Sequence, residues 1–109
     1  MIFAWGESNI EHLSKHAVRR EEAEYIVRHA KPPWPEQKGD DKLLVWGATR
    51  DARLLQVIFT LKSPDQIEFD ELTIDEWAEL GEDDRVVYVI HAMDMTIRMK
   101  KLYRKKLQP

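Results

Sequence analysis

The chain has 109 residues, 17 basic and 20 acidic side chains, a formal charge of -3, no cysteine and 43% hydrophobic residues. That length supports one hydrophobic core and little more, and the apolar fraction excludes a disordered polymer. The missing cysteines exclude a disulfide framework or thiolate metal site and favour a reducing, cytoplasmic setting, and no stretch approaches the roughly 20 apolar residues that span a bilayer.

Ile2 to Trp5 reads as a short strand ended by Gly6, after which Ser8 or Asn9 can cap a helix with Ile10, Leu13 and Ala17 at helical spacing. A second helix is expected from Arg19 or Arg20, with Glu21 and Glu22 in its first turn and Ala23, Ile26 and Val27 buried. It must stop by Lys31, because Pro32-Pro33-Trp34-Pro35 cannot continue it. Gln37 to Asp41 reads as a polar turn. Leu43 to Thr49 and Leu54 to Leu61 then form an antiparallel hairpin around Arg50 to Arg53. Residues 62–84 read as an acidic loop containing one short helix tethered by Trp77 and Leu80, and Arg85 to Ala92 as a central strand. Asp94 or Thr96 can cap a last helix on which Ile97, Lys101 and Arg104 share one side while Met99, Leu102 and Tyr103 pack. The order β-α-α-β-β-β-α predicts a single α+β domain over 1–109, an antiparallel sheet packed against helices.

Charge is strongly segregated. Thr96 to Pro109 holds six basic residues and no acid, whereas residues 62–84 hold ten carboxylates against one lysine. One cationic pole suggests a polyanion-binding surface, and the acidic segment a counterweight that opposes or covers it; an ordinary solvated helix is the plainer alternative. Trp5 and Trp46 sit in apolar strands and read as core, while Trp34, among prolines, reads as exposed and suited to a partner interface.

Several short motifs recur in one order: Phe3-Ala4-Trp5; Glu11 to Val18 with its Lys15-His16 pair; Glu21-Glu22-Ala23-Glu24; Gly47, Thr49 and Arg53 with Leu54, Leu55 and Val57; Val89-Ile90-His91-Ala92; and Thr96, Arg98 and Tyr103. Over about 80 residues this combination resembles the BrnT toxins, ribonuclease-type members of the RelE/ParE superfamily of type II toxin-antitoxin operons. The resemblance implies a RelE/ParE-like fold, an antitoxin protein as partner, an RNA substrate and cleavage without a cofactor or metal. Two departures stand out: the family's Ser-Ala-Arg at the end of the last strand is His91-Ala92-Met93 here, which removes a phosphate-holding cation, and the family's short turn is replaced by the acidic insertion at 62–84.

Metal-independent RNA cleavage needs a base for the ribose 2′-hydroxyl, cations for the phosphate and an acid for the leaving oxygen. His91 is the best titratable candidate, with Arg53 and Arg98 as phosphate contacts and Tyr103 to stack on a base or donate a proton. Lys101, Arg104 and Lys105 on the basic helix, with Lys15 and His16, make up the expected substrate-binding set. His91 as a hydrogen-bonded sheet-edge histidine is the structural alternative. His12 and His16 stand four residues apart, a metal-binding spacing, but the HExxH glutamate and an obvious third ligand are missing, so His16 reads first as a helix C-terminal residue. Beside the toxin stands a second reading, a non-catalytic protein or nucleic-acid binding module of the same fold; homodimerisation is open.

Overall fold

The computed structural model describes residues 1 to 108. Its elements are β1 (Phe3–Ala4), α1 (Glu7–Ser14), α2 (Arg20–Arg28), β2 (Glu36–Lys38), β3 (Lys42–Ala48), β4 (Leu54–Lys62), α3 (Ile74–Glu79), β5 (Val86–Asp94) and α4 (Ile97–Leu107). They build an α+β fold around a five-stranded mixed sheet in the order β1-β5-β4-β3-β2.

The expectation of an all-antiparallel sheet is corrected at one edge. β1 runs parallel to β5, pairing Phe3 with Val87 and Ala4 with Tyr88. Parallel neighbours need a long connection, and three helices plus a three-strand meander supply one. The expected polar turn at Gln37 to Asp41 is also revised: Glu36–Lys38 forms an edge strand paired with Lys42 to Leu44, and Gly39 turns the chain at φ +78°. Three consecutive polar residues carry no alternation of apolar side chains, so pattern alone reads them as a loop. Both sheet edges are thereby reduced to two or three residues, which limits the backbone available for pairing with other chains.

α1 begins two or three residues earlier than Ser8 or Asn9 as cap implies. Gly6 is the capping residue, and Asn9, buried inside the helix, accepts from the Gly6 amide at 2.8 Å and donates to the Ala4 carbonyl at 3.0 Å. The helix stops at Ser14, and Ala17 is exposed at φ +54°, leaving Leu13 and Val18 as the buried anchors. α2 buries Ala23, Ile26 and Val27 as expected. Thr96, not Asp94, caps α4, its hydroxyl accepting from the Met99 amide at 3.2 Å. Thr96→Ala is expected to lower the unfolding free energy by about 1 kcal/mol, measured by urea titration.

The principal core joins Leu13, Val18 and α2 to Val45, Leu55, Val57, Phe59, Val87, Val89 and Ala92. Trp34 belongs to it, only 5% exposed, with its ring 6.1 Å from Trp46 and 5.3 Å from Tyr103. The expected exposed loop tryptophan is therefore a buried one: aromatic neighbours from β3 and α4 outweigh its proline-rich surroundings.

One irregularity in β5 decides which face His91 occupies. Ile58 pairs with His91 and Phe59 with Val89, so Ile90 is an extra residue in the ladder. Side chains alternate along a strand, and plain alternation would put His91 on the same face as Val87 and Val89. The bulge shifts the phase: Ala92 takes the core position, and His91 falls on the opposite face beside Ile58.

The acidic segment is ordered. Ser63, Glu68, Thr73 and Gly81 each have their backbone amide captured by a side chain three residues on, Gln66, Glu71, Glu76 and Asp84, at 2.7 to 3.0 Å. Three of the ten carboxylates thus cap local turns. Ile67 and Leu72 form a second small core with Ala4 and Val86, against which Trp77, Leu80 and Tyr88 pack. Trp77 and Leu80 are the tethers the sequence suggests.

Candidate functional site

α1 makes its main contacts with β5, along the stretch that two-residue β1 leaves unpaired. This brings the last turn of α1 against the bulged part of the strand. His12 Nε2 lies 3.2 Å from His91 Nδ1, their rings 5.4 Å apart, and His16 packs edge-on to His91 with centroids 4.9 Å apart. Three imidazoles, from α1, the turn that follows it and β5, therefore converge. His91 is half-buried while His12 and His16 are exposed, an arrangement open to a solvent-borne ligand.

The His12–His91 contact constrains protonation. A hydrogen bond between two imidazole nitrogens needs one N–H and one lone pair, so full protonation of both rings would set two donors face to face. Burial, followed by the charges of His16, His12 and Lys38, holds the His91 pKa below its ordinary 6.5. The pair is thus arranged with His91 neutral at pH 7, fit to take a proton. Linkage gives a sign: with the folded value depressed, the stability contributed by neutral His91 is complete above pH 6.5 and is lost as the pH falls through the lower folded value. His91→Gln is expected to flatten the dependence of unfolding free energy on pH between about 7 and 5, measured by denaturant titration.

Arg53 occupies a different environment. Its Nε and Nη2 grip the Asp94 carboxylate at 2.8 and 3.0 Å, Nη1 donates to the Ala17 carbonyl at 2.8 Å and to Glu22 at 3.2 Å, and Nη2 also reaches the His16 carbonyl at 3.3 Å. A guanidinium has five N–H groups, and these contacts engage all of them. Two acceptors are the carbonyls just past the end of α1, where a cation suits the helix dipole. Asp94 responds: hydrogen bonding to Arg53 first of all holds its carboxyl below the usual 3.8. Arg53 therefore joins α1, α2 and β5 and positions the backbone that carries His16, with no donor left for a phosphate.

The remaining expected residues do not gather at His91. Among the described residues, no hydrogen bond, ion pair or ring contact joins a side chain of α4 to His91. Arg98, Lys101, Arg104 and Lys105 are exposed, without hydrogen-bonded partners among the described residues. Tyr103 lies against Trp34, and burial raises its pKa, keeping the phenol a proton donor. Lys15 is exposed at the end of α1, next in sequence to His16. Lys106 pairs with Glu36 at 2.8 Å and sits over the Trp46 ring.

Sequence reasoning left His12 outside the site and left Lys38 unmentioned. The signal for His12 was its four-residue spacing from His16; the missing piece was the partner His91, 79 residues away along the chain. No group of three His, Cys, Asp or Glu side chains among the described residues is arranged to hold a metal ion.

The acidic segment does not cover the basic helix. Among the described residues no ion pair links 62–84 to α4, and the cation that pairs does so with Glu36 on β2. No helix of the described residues is long and apolar enough to cross a membrane. Comparison with protein-family models, with curated proteins and with solved structures gives no match to this chain.

Proposed function

We propose that this chain is a BrnT-like toxin of a type II toxin-antitoxin module, acting in the cytoplasm as an endoribonuclease that arrests translation and is neutralised by an antitoxin protein. The observation that carries the reading is the His12–His91 contact at 3.2 Å, with His91 held neutral. A neutral imidazole accepts the ribose 2′-OH proton; the oxygen attacks the adjacent phosphorus; the 5′-oxygen leaves with a proton from a protonated imidazole, His12 or His16. The products are a 2′,3′-cyclic phosphate and a 5′-hydroxyl. Lys38 and Lys15 supply positive charge near the phosphate, and the cations of α4 hold more distant parts of the strand.

The test has two arms: induction in a bacterial host, read as growth arrest, and incubation of purified protein with end-labelled single-stranded RNA in EDTA. Arrest and cleavage that both vanish in His91→Ala support the reading; arrest that survives it sinks the reading.

A second reading, a non-catalytic binding module of the same fold, is favoured by the full engagement of Arg53 and by Met93 in place of the family's arginine. It expects RNA or protein binding with no new RNA ends.

A further inference from the structure

The acidic segment carries an apolar face that nothing among the described residues covers. Phe69 is 69% and Ile74 67% exposed, while Phe69 stacks on Trp77 with centroids 6.0 Å apart and planes 10° apart. The Trp77 indole N–H donates to the Phe69 carbonyl at 2.8 Å, so the two rings form a fixed platform. Exposed aromatic platforms of this kind mark interaction surfaces. Around the platform stand Asp70, Asp75 and Glu79, exposed and without cationic partners among the described residues. An occupant must bring positive charge together with apolar side chains.

α4 has that chemistry. Arg98, Lys100, Lys101, Arg104 and Lys105 lack ion pairs among the described residues, and Ile97, Leu102 and Leu107 are exposed beside them. Arginine also stacks favourably on aromatic faces. Within one molecule the two surfaces cannot meet. The acidic segment packs on Ala4 and Val86, at the β1 edge and the start of β5. α4 leaves from the other end of β5, which is roughly 27 Å away at the rise of an extended strand, and ends beside Glu36 on β2, at the opposite sheet edge.

We propose that the Phe69–Ile74–Trp77 face docks α4 of a second copy of this chain, in a two-fold pairing that makes the contact twice. Each copy offers both surfaces at opposite ends, so an antiparallel pair closes on itself. Such a dimer hides the α4 cations from polyanions, so RNA and the second copy compete for one surface. The association itself does not rest on the nuclease reading and is measured without RNA.

Sedimentation velocity of nucleic-acid-free protein is expected to show a dimer in about 50 mM salt that dissociates in about 500 mM. The variants Asp70→Lys/Glu79→Lys and Arg98→Glu/Lys101→Glu are each expected to be monomeric alone and to associate when mixed. Phe69→Ser is expected to weaken the dimer about tenfold with an unchanged circular dichroism spectrum. A wild-type chain that stays monomeric at low salt and high micromolar concentration overturns the proposal. So does a dimer that all three variants retain, or charge-reversed variants that fail to associate with each other while folded.

Discussion

Arg53→Ala is expected to lower the unfolding free energy by about 2 kcal/mol and the melting temperature by roughly 8 °C. The guanidinium satisfies two carboxylates and two helix-end carbonyls at once, and its removal leaves Glu22, 13% exposed, without its strongest partner. The figure stays below that of a fully buried ion pair because Asp94 is 62% exposed and screened by water. Arg53→Lys recovers only part of the loss, since an ammonium cannot match the planar fork that holds Asp94. The pH dependence follows from the depressed Asp94 pKa: its stabilisation is present above about pH 4 and disappears as the pH falls through the folded value, and Arg53→Ala removes that acid-limb loss. Unfolding free energies of wild type and variant measured from pH 7 down to 3 check both statements; equal stabilities throughout would falsify the clamp.

The second large effect concerns RNA cleavage. His91→Ala and His12→Ala are each expected to slow single-turnover cleavage by about 10² to 10⁴-fold, the range of a lost general base or acid. Because the two rings act as a unit, the double variant is expected to be little slower than the worse single one. The acid limb of the wild-type rate profile is expected below pH 6.5, in line with the depressed His91 value. Rates of the single variants within about threefold of wild type, with the fold intact, would mean that the histidine contact serves packing alone.

Much of the scaffold was legible because it rests on local periodicity. The buried face of α2, the hairpin of β3 and β4, and the basic last helix all follow from spacing and capping residues a few positions apart. What was not legible depends on contacts distant in sequence. β1 joins β5 across more than 80 residues, Trp34 is buried by rings from β3 and α4, and Arg53 is spoken for by Asp94, Glu22 and the end of α1. An arginine at a strand start reads the same whether it faces a phosphate or two carboxylates. At the site, His91 and His16 were visible as candidates, but their meeting with His12 depended on where α1 lies against β5. The charge poles were evident from composition; that they point to opposite ends of the sheet was not, since composition has no direction.

The bulge at Ile90 decides which way the whole histidine assembly faces. Absorbing Ile90 into regular pleating would swing the imidazole of His91 among Val87, Val89 and Leu55 and turn Ala92 outward, whereas deleting Ile90 keeps Val89 opposite Phe59 and His91 opposite Ile58 and leaves both side chains on their present faces. A substitution elsewhere in β5 changes a side chain; the extra residue here sets the facing of an entire strand end. A variant lacking Ile90 therefore keeps its histidine face on a smoother ladder.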